Sequence, residues 1–431
     1  SKTVGTPPPR PAWASAAPSG APHYVVWELT LRCDLSCAHC GSRAGRPRAS
    51  ELSTEEALET VRQLAAMGAR EITLIGGEAY LRDDWDVVAR AIVDAGMKCT
   101  MTTGGRAFTK ERAARAKAAG VAAVSVSIDG LAPAHDRQRG LRGSFDAALG
   151  SLRTLREAGI AITANTQLNR LSFADLDALF DLFVAEGVGG WQFQLTVPMG
   201  RAAEHPEWLF QPYELLDVHP KLADIAVRGR SHGLLFWPAN NIGYYGPHEA
   251  IFRNRGVSGE AVWTGCAAGK NALGIESDGT IKGCPSLPTS VYSAGNVRQQ
   301  AIADLWNEAP ELGFMRRRQE ERDARLWGFC KTCYYASVCG AGCTWTAHVF
   351  FGRPGNNPYC HHRALEMKAQ GKRERLERVS AAPGAPFDHG TFALYVEEDD
   401  AAPRAIGPAP SASPSPIDPK RRRLPIAPRA W

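Results

Sequence analysis

Short runs rich in β-branched and aromatic residues alternate with longer amphipathic segments in the first half of the chain. The short runs predict six strands, at residues 24–30, 71–75, 98–103, 122–128, 161–166 and 191–196. In the first amphipathic segment, Ser53 and Glu56 form a capping box, and Gly68 follows the last apolar position. Similar helical patterns cover residues 84–95, 109–119, 144–158 and 173–186. Six strand–helix units predict an α/β fold with a parallel sheet, because parallel strands need crossover connections.

Composition narrows the class of protein. The chain has 431 residues, of which 44% are hydrophobic, and this excludes a wholly disordered protein. No stretch approaches the roughly 18 uncharged apolar residues needed to span a bilayer, and nothing at the start resembles a signal peptide. We therefore expect a cytoplasmic protein with no membrane partner. Since disulfides are rare in that reducing compartment, its eleven cysteines point to metal or redox chemistry.

The net charge of +5 comes from the end of the chain. Residues 401–431 hold six lysines and arginines against one aspartate, which accounts for the whole excess. This segment and residues 1–22 are rich in proline, so both termini are predicted to be disordered. The basic run at 420–423 fits a solubilising tail or an acidic partner. Because residues 1–400 carry no net charge, no nucleic-acid partner is expected.

The first cysteine cluster directly follows the first predicted strand. Cys33, Cys37 and Cys40 are spaced C-x3-C-x2-C. Functional sites of parallel sheets lie at the carboxyl ends of the strands, so this position favours catalysis. Three thiolates on one loop can hold an iron–sulfur cluster, or zinc with a fourth ligand such as His39. A [4Fe–4S] cluster with three cysteine ligands leaves one iron open to a small molecule.

This cysteine loop resembles that of the radical S-adenosylmethionine (SAM) superfamily. The resemblance implies a partial TIM barrel, (β/α)6, in which the open iron binds SAM and one-electron cleavage yields a 5′-deoxyadenosyl radical. It also implies SAM contacts at several residues of this chain. Those residues are His39, Gly76, Gly77, Glu78, Ser127, Asp129, Asn165 and Gln194. Ser127 is preferred to Asp129, which can equally cap a turn, while Asn165 and Gln194 can equally have core roles. Arg139 or Arg142 is a candidate for the SAM carboxylate.

A second set of cysteines follows residue 260. Its spacing is C-x12-G-x4-C, then C-x2-C-x5-C-x3-C, then a last cysteine, which resembles the SPASM subgroup of the same superfamily. An Asp278-Gly279 turn predicts a hairpin that brings Cys266 and Cys284 together. The resemblance implies two auxiliary [4Fe–4S] clusters and thus three clusters in all. It assigns Cys266, Cys284 and Cys343 to cluster I and the remaining four to cluster II, namely Cys330, Cys333, Cys339 and Cys360. Two zinc sites are the alternative.

Two questions about the cysteines stay open. Many relatives supply a fourth ligand to cluster I from just upstream of Cys266, but residues 241–265 contain no cysteine. Cluster I therefore has either an open iron or a ligand other than cysteine. Cys99, at the start of the third predicted strand, reads as a buried structural thiol. The sharper alternative is a hydrogen-atom donor, as a peptide epimerase requires.

The resemblance favours a peptide or protein maturase that makes a crosslink, a thioether or an oxidised residue. Cys284 is followed by Pro285 and Ser286, where the sulfatase-maturing group has an acidic base, so formylglycine formation is not expected. The alternatives are cofactor biosynthesis on a small molecule such as a tetrapyrrole, peptide epimerisation, and a non-enzymatic iron–sulfur electron carrier. A carrier needs no SAM pocket, which argues against it.

The expected partners are a peptide substrate and a flavodoxin- or ferredoxin-type electron donor. Only about 23 residues precede the first strand, so a separate leader-recognition protein is a further candidate. The aromatic and amide-rich segment 237–247 can line a peptide channel or simply connect domains. We expect five regions, namely a flexible tail at 1–22, a radical SAM core at 23–235, a linker at 236–262, a SPASM domain at 263–365, and a helix with a flexible tail at 366–431.

Overall fold

The computed structural model describes residues 20–253 and 262–399, together with the backbone of residues 422–423. Most of the two predicted flexible termini, and residues 254–261 of the predicted linker, lie outside the described residues. Within the described part of the chain, no helix combines the length and the apolar character that a bilayer crossing requires.

A parallel sheet forms the centre of the molecule, as the alternation of strands and helices predicts. All six predicted strands are present, and a seventh extends the series. They are β1 (Tyr24–Thr30), β2 (Glu71–Gly76), β3 (Lys98–Thr103), β4 (Ala123–Ser127), β5 (Ala161–Leu168), β6 (Gly190–Leu195) and β7 (Leu235–Pro238). Neighbouring strands pair in parallel from β1 to β7 in chain order.

Helices cross between these strands and cover the sheet. They are α1 (Thr54–Ala66), α2 (Trp85–Asp94), α3 (Lys110–Ala118), α4 (Ala132–Arg139), α5 (Ser144–Glu157), α6 (Leu176–Ala185), α7 (Leu215–Ser231) and α8 (Glu249–Arg253). The predicted capping box starts α1, where the Ser53 side chain accepts from the Glu56 N–H and the Glu56 carboxylate accepts from the Ser53 N–H at 2.8 Å. Val61 and Leu64 of α1 pack with Trp27 and Leu74 of the sheet, and this apolar burial is the main stabilising term.

The second half of the chain adds three strands to the same sheet. Strands β8 (Ala272–Ile275) and β9 (Thr280–Lys282) form the predicted hairpin, and β10 (Gly295–Asn296) pairs with β9. Strand β8 pairs in parallel with β1, so the sheet order is β10-β9-β8-β1-β2-β3-β4-β5-β6-β7. This pairing gives hydrogen-bond partners to the backbone N–H and C=O groups of β1 that would otherwise lie at an open sheet edge. The cysteine-rich half is therefore joined to the core through a shared sheet.

Short helices carry or adjoin most of the remaining cysteines. They are α9 (Thr289–Tyr292), α10 (Ile302–Glu308), α11 (Pro310–Gly313), α12 (Gln319–Asp323), α13 (Phe329–Thr332), α14 (Ala336–Cys339), α15 (Thr344–Phe351) and α16 (His361–Ala369). Cys330 and Cys339 lie on α13 and α14, and Cys343 and Cys360 directly precede α15 and α16.

Two expectations about the domain layout differ from the structure. The first residues of the predicted linker belong to β7, which is the edge strand of the sheet. Helix α16 reaches into the region expected to hold a helix and a tail, but beyond it the chain forms an antiparallel hairpin of β11 (Lys372–Ser380) and β12 (Thr391–Glu398). The backbone of β13 (Arg422–Arg423) pairs with β12. Arg373 and Arg375 pair across the hairpin with Glu397, while Leu376 is buried, and both features stabilise the paired strands.

Candidate SAM and iron–sulfur site

The first cysteine loop is built by close backbone packing at the ends of β1 and β2. A Cβ added to Gly77 would lie 2.2 Å from the Arg32 carbonyl oxygen and 2.7 Å from the Cys33 Cβ. Only glycine allows this approach, so the loop sits directly against the Gly76-Gly77-Glu78 turn. The loop returns to the strand through the Cys33 N–H, which donates to the Gly45 carbonyl at 3.0 Å.

The three thiols of this loop are placed to share a cationic cluster. Burial, the nearby Glu78 and the thiols of Cys37 and Cys40 all raise the pKa of Cys33. N–H groups point at the sulfurs, from Leu35 to Cys33 at 3.4 Å and from Ala44 to Cys40 at 3.4 Å. Because the thiols are close together, ionising them without a metal is costly. A bound metal would remove this cost, and the N–H donors would stabilise the thiolates that bind it. The donor set fits a three-cysteine iron–sulfur cluster.

Glu78 is a buried carboxylate beside these thiols. Its Oε2 accepts from the Thr103 hydroxyl at 2.6 Å and its Oε1 from the Gly104 N–H at 2.5 Å. Burial raises the pKa of Glu78 to about 7, even though both hydrogen bonds lower it. The turn after β3 therefore fixes Glu78, and an oxygen of that carboxylate lies within 4.8 Å of the Cys33 sulfur and of an Asp34 oxygen. A cationic amino group is the natural partner for such a position.

Asp129 organises the wall of the site beside Cys37. Its carboxylate lies 2.6 Å from Arg139 Nη2 and 3.4 Å from His39 Nε2, and it accepts from the Gln167 N–H at 2.8 Å. The angle of the Arg139 contact makes it an ion pair rather than an aligned hydrogen bond. Asp129 is fully buried, so it does much more than cap a turn. Burial lowers the pKa of His39 to about 4, so this imidazole is neutral near pH 7.

The two arginine candidates separate clearly. Arg139 is buried, and its Nη1 lies 3.7 Å from the Cys37 sulfur, whereas Arg142 is exposed. Although burial alone would lower it, Asp129 and Cys37 together raise the pKa of Arg139, so the guanidinium stays charged. Arg139 is therefore the cation that the structure places next to the first cysteine loop.

The remaining candidates of this half fall in different places. Gln194 lines the cavity described below, while Ser127 and Asn165 are register partners in β4 and β5. The buried Asn165 Oδ1 has no hydrogen-bond partner among the described residues, as expected of an atom that awaits a ligand. Cys99 is fully buried in the apolar core, and burial raises its pKa to about 12. That placement fits a structural thiol and not a hydrogen donor.

The second cysteine set divides into two groups in space. Burial and the Cys266 thiol raise the pKa of Cys284 to about 11, and burial with the same thiol raises that of Cys343 to about 12. These three thiols thus lie within electrostatic reach of one another. The other group borders one pocket, which is lined by Cys330, Cys333, Cys339 and Cys360. The structure therefore brings together the members of each ligand set that the family resemblance implied, and both donor sets fit iron–sulfur clusters.

The aromatic segment after β7 packs against these auxiliary cysteines. The Tyr244 hydroxyl accepts from the Cys343 N–H at 3.0 Å, and the Tyr245 ring stacks on Tyr335 at 4.1 Å between centroids. Tyr244 and Tyr245 both line the pocket of the four cysteines, and both have positive φ. The segment therefore shields the auxiliary site, and none of its residues lines the cavity that lies between the two cysteine regions.

A cavity of about 180 Å³ lies between the two cysteine regions. His39, Gly41 and Ser42 of the first loop line it, and so do Pro285 and Ser286 beyond Cys284. The Ser286 side chain also hydrogen-bonds to Cys284. A group bound in this cavity would thus reach the first cluster site and auxiliary cluster site I together.

Sequence reasoning missed an ionic cluster on the wall of this cavity. Glu28 on β1 and Glu276 after β8 both line the cavity, and Arg48 Nη2 lies 3.0 Å from one carboxylate and 3.1 Å from the other. The fully buried Lys282 ammonium lies 2.7 Å from Glu276. Burial raises the pKa of Glu28. A lone carboxylate in the apolar run of β1 was the signal that could have identified Glu28.

Comparison with known proteins agrees with this arrangement. The family model of the radical SAM superfamily matches residues 27–182, and the SPASM model, an iron–sulfur cluster-binding domain, matches residues 266–334. An AdoMet-dependent heme synthase of Methanosarcina barkeri is 31% identical over 355 residues, which cover 80% of this chain and 98% of that protein. This chain belongs to the radical SAM superfamily, and to its SPASM subgroup. Membership implies that it binds [4Fe–4S] clusters and SAM.

Other radical SAM proteins are similar over most of the chain. The mycofactocin maturase MftC of Mycolicibacterium smegmatis is 28% identical over 381 residues, covering 86% of this chain and 89% of that protein. The crystal structure of Streptococcus suis SuiB bound to precursor peptide SuiA has a TM-score of 0.61 at 17% identity. That match covers 79% of this chain and 76% of SuiB, and it shows a shared fold.

Proposed function

We propose that this radical SAM enzyme takes a hydrogen atom from a residue of a peptide substrate and oxidises that residue. The lining of the central cavity carries the proposal. Its polar side chains are two carboxylates, the His39 imidazole, the Trp345 indole and several amides or hydroxyls, and no lysine or arginine lines it among the described residues. Amide groups such as those of Gln167 and Gln194 can pair with peptide N–H and C=O groups. A substrate with several carboxylates would meet Glu28 and Glu276 instead of cations.

The residues beside the first cysteine loop are proposed to bind SAM. When bound, the first cluster and SAM supply a 5′-deoxyadenosyl radical, and the auxiliary clusters supply electron transfer. Arg139 and Glu78 offer one cation and one buried carboxylate beside the first cysteine loop, which suits the carboxylate and the amino group of SAM. Gly77 keeps this contact surface close to the cysteines. SAM cleavage therefore depends on residues at the ends of β1 to β4.

Glu28 is the proposed proton acceptor. Loss of a hydrogen atom leaves a substrate radical, and oxidation of that radical releases one electron and one proton. An auxiliary cluster, when bound, would accept the electron, and Glu28 would take the proton. The hydrogen bonds described for Glu28 from Arg48 and Ser277 all go to Oε1, and the side chain lines the cavity. A base whose pKa is raised by burial is suited to this step.

Anaerobic incubation with SAM, dithionite and a short peptide encoded beside the gene tests the function. We expect 5′-deoxyadenosine together with a peptide that has lost two hydrogens, measured by mass spectrometry. Omission of dithionite is the control for the radical step. Formation of 5′-deoxyadenosine without any change in such peptides, while an iron porphyrin carrying propionates loses carbon dioxide, would overturn the peptide assignment.

The second candidate is the modification of a tetrapyrrole. It rests on the similarity to the AdoMet-dependent heme synthase, which extends over 98% of that protein. The iron porphyrin arm of the same experiment measures it directly, since decarboxylation and loss of two hydrogens give different masses.

Two partners complete the proposal. The reducing electron comes from a flavodoxin- or ferredoxin-type donor, as dithionite replaces it in the assay. A separate leader-recognition protein delivers the peptide if the described chain alone binds it weakly. Addition of such a protein would then lower the KM for the peptide and leave 5′-deoxyadenosine formation without peptide unchanged.

A further inference from the structure

The turn of the C-terminal hairpin forms part of the cavity wall. This turn, residues 381–390, is named here the wall loop. Its Phe387 lines the cavity, and the Phe387 N–H donates to the carbonyl of Gly41 at 3.0 Å. Gly41 directly follows Cys40, so the wall loop is attached to the first cysteine loop. Both matched family regions, 27–182 and 266–334, end before this turn.

Asp388 fixes the wall loop on the core side. Its Oδ1 accepts from Arg43 Nε at 2.9 Å, and its carbonyl accepts from the Gly200 N–H at 2.8 Å. The Asp388 side chain is only 6% exposed, so this ion pair is shielded from water. Met199, another residue of the cavity lining, forms an antiparallel bridge with His389. The loop therefore has one defined position over the cavity.

Contacts on the other side tie the wall loop to the SPASM half. The Lys282 ammonium lies 3.7 Å from the centroid of the Phe387 ring, on the side where Lys282 also pairs with Glu276. The His389 ring meets His348 of α15 edge-on at 5.2 Å. Phe387 thus lines the cavity next to the ionic cluster, and a change in its position would alter the surroundings of both.

The backbone conformation at Phe387 is unusual for a bulky residue. Its φ is +58°, in the left-handed region that favours glycine and disfavours bulky residues. Unfavourable backbone conformations persist where the surrounding structure enforces them, and they concentrate at ligand sites. Here the conformation turns an aromatic ring into the cavity instead of into solvent.

We propose that the wall loop selects the substrate, and that Phe387 is the specificity-determining residue against which an apolar side chain of the peptide packs. The proposal rests on the peptide function for its substrate class. The closure of the cavity by the loop does not require a peptide substrate, and it can be tested by SAM cleavage alone. Asp388 and Arg43 act through Phe387 and are positioning residues.

Kinetics of Phe387 variants test the selection. Phe387→Ala should raise the KM for the peptide about tenfold and change kcat less, and Phe387→Leu should restore most of the loss, because it refills the apolar volume. Val379→Ala is the matched control, since Val379 is an exposed apolar residue of the same hairpin, 52% exposed. A KM for Phe387→Ala within twofold of the parent value would overturn the proposal.

Phe387→Gly separates specificity from stability. Glycine suits a φ of +58°, so this variant should unfold at or above the melting temperature of Phe387→Ala and keep the iron content of the parent enzyme. It should nevertheless show the same raised KM. A glycine variant with the parent KM would contradict the proposed role of the ring.

A readout without peptide distinguishes failure of this proposal from failure of the peptide function. The parent enzyme and Phe387→Ala are given SAM and dithionite alone, and 5′-deoxyadenosine is measured. We expect about threefold faster unproductive formation in the variant, because the opened wall admits solvent to the site. If the peptide function is wrong, this difference remains while peptides stay unmodified. Equal rates of 5′-deoxyadenosine formation in the two proteins, together with an unchanged KM for the substrate that is processed, would overturn the proposed role of the wall loop.

Discussion

At the residue scale, the site depends on a few buried charges whose partners are fixed. Asp129 and Arg139 form the central pair beside Cys37, and Glu28 shares Arg48 with Glu276. Buried ions cost free energy when a partner is lost, so changes at these residues affect both stability and chemistry. The family resemblance makes Asp129 a candidate but cannot place it above Ser127, because burial and the choice of partner depend on the tertiary fold.

Glu28→Gln tests the proposed proton acceptor. The amide keeps the shape but cannot take a proton, so peptide oxidation should fall about 100-fold, with 5′-deoxyadenosine still formed. Burial raises the pKa of Glu28, so activity of the parent enzyme should be lost as the pH falls through a value above that of an ordinary glutamate. Rate–pH profiles measure this, with the exposed Glu55→Gln as control. Glu28→Gln with the rate and profile of the parent enzyme would rule out this role.

Asp129→Asn tests the central ion pair. The substitution leaves the buried Arg139 without its carboxylate, which should lower the free energy of unfolding by about 3 kcal/mol. It should also weaken SAM binding, since His39 and Arg139 lose their anchor. Denaturant unfolding and equilibrium dialysis with SAM measure the two effects. The exposed Asp94→Asn is the control, and equal values for both variants would show that the pair does not matter.

At the element scale, the strands of the core follow closely from hydrophobic alternation. Strands β1 and β3 begin and end where the pattern predicts, because their apolar residues face a continuous core. The pattern did not predict the hairpin of β11 and β12, in which Arg373 and Arg375 of one strand pair with Glu397 of the other. The attachment of the wall loop to the first cysteine loop could not be predicted from the local sequence, since Arg43 and Asp388 lie 345 positions apart.

Gly77→Ala tests the packing between the ends of β1 and β2. The added Cβ would lie 2.2 Å from the Arg32 carbonyl oxygen, so the first cysteine loop must shift. We expect loss of the SAM-dependent cluster and of 5′-deoxyadenosine formation, with the auxiliary clusters retained. Gly150→Ala is the control, because nothing lies within 4 Å of its added Cβ in α5. Full iron content and activity in Gly77→Ala would contradict the proposed approach of the turn.

At the scale of the whole molecule, a single sheet joins the radical-generating half to the cysteine-rich half. Strand β8 pairs with β1, and the central cavity is lined from both halves. The family resemblance implied two separate ligand sets, and the fold brings the members of each set together. The cavity itself could not be predicted, since it depends on how β8 and the C-terminal hairpin meet the core.

Cysteine variants test the two auxiliary sets. Cys343→Ala and Cys330→Ala should each remove about four irons, one cluster at a time, because each thiol belongs to a different group. Cys99→Ala should retain all the iron, as Cys99 lies in the apolar core. Iron and sulfide analysis of anaerobically purified protein measures this, and zinc without sulfide would rule out the clusters.

Transfer of a label tests most directly whether one cavity joins SAM cleavage to a peptide substrate. The enzyme is given SAM, dithionite and its peptide with deuterium at the position that is modified, and 5′-deoxyadenosine is analysed by mass spectrometry. Direct abstraction within the cavity between the two cysteine regions predicts 5′-deoxyadenosine that carries one deuterium. Modified peptide accompanied by 5′-deoxyadenosine without deuterium would contradict it.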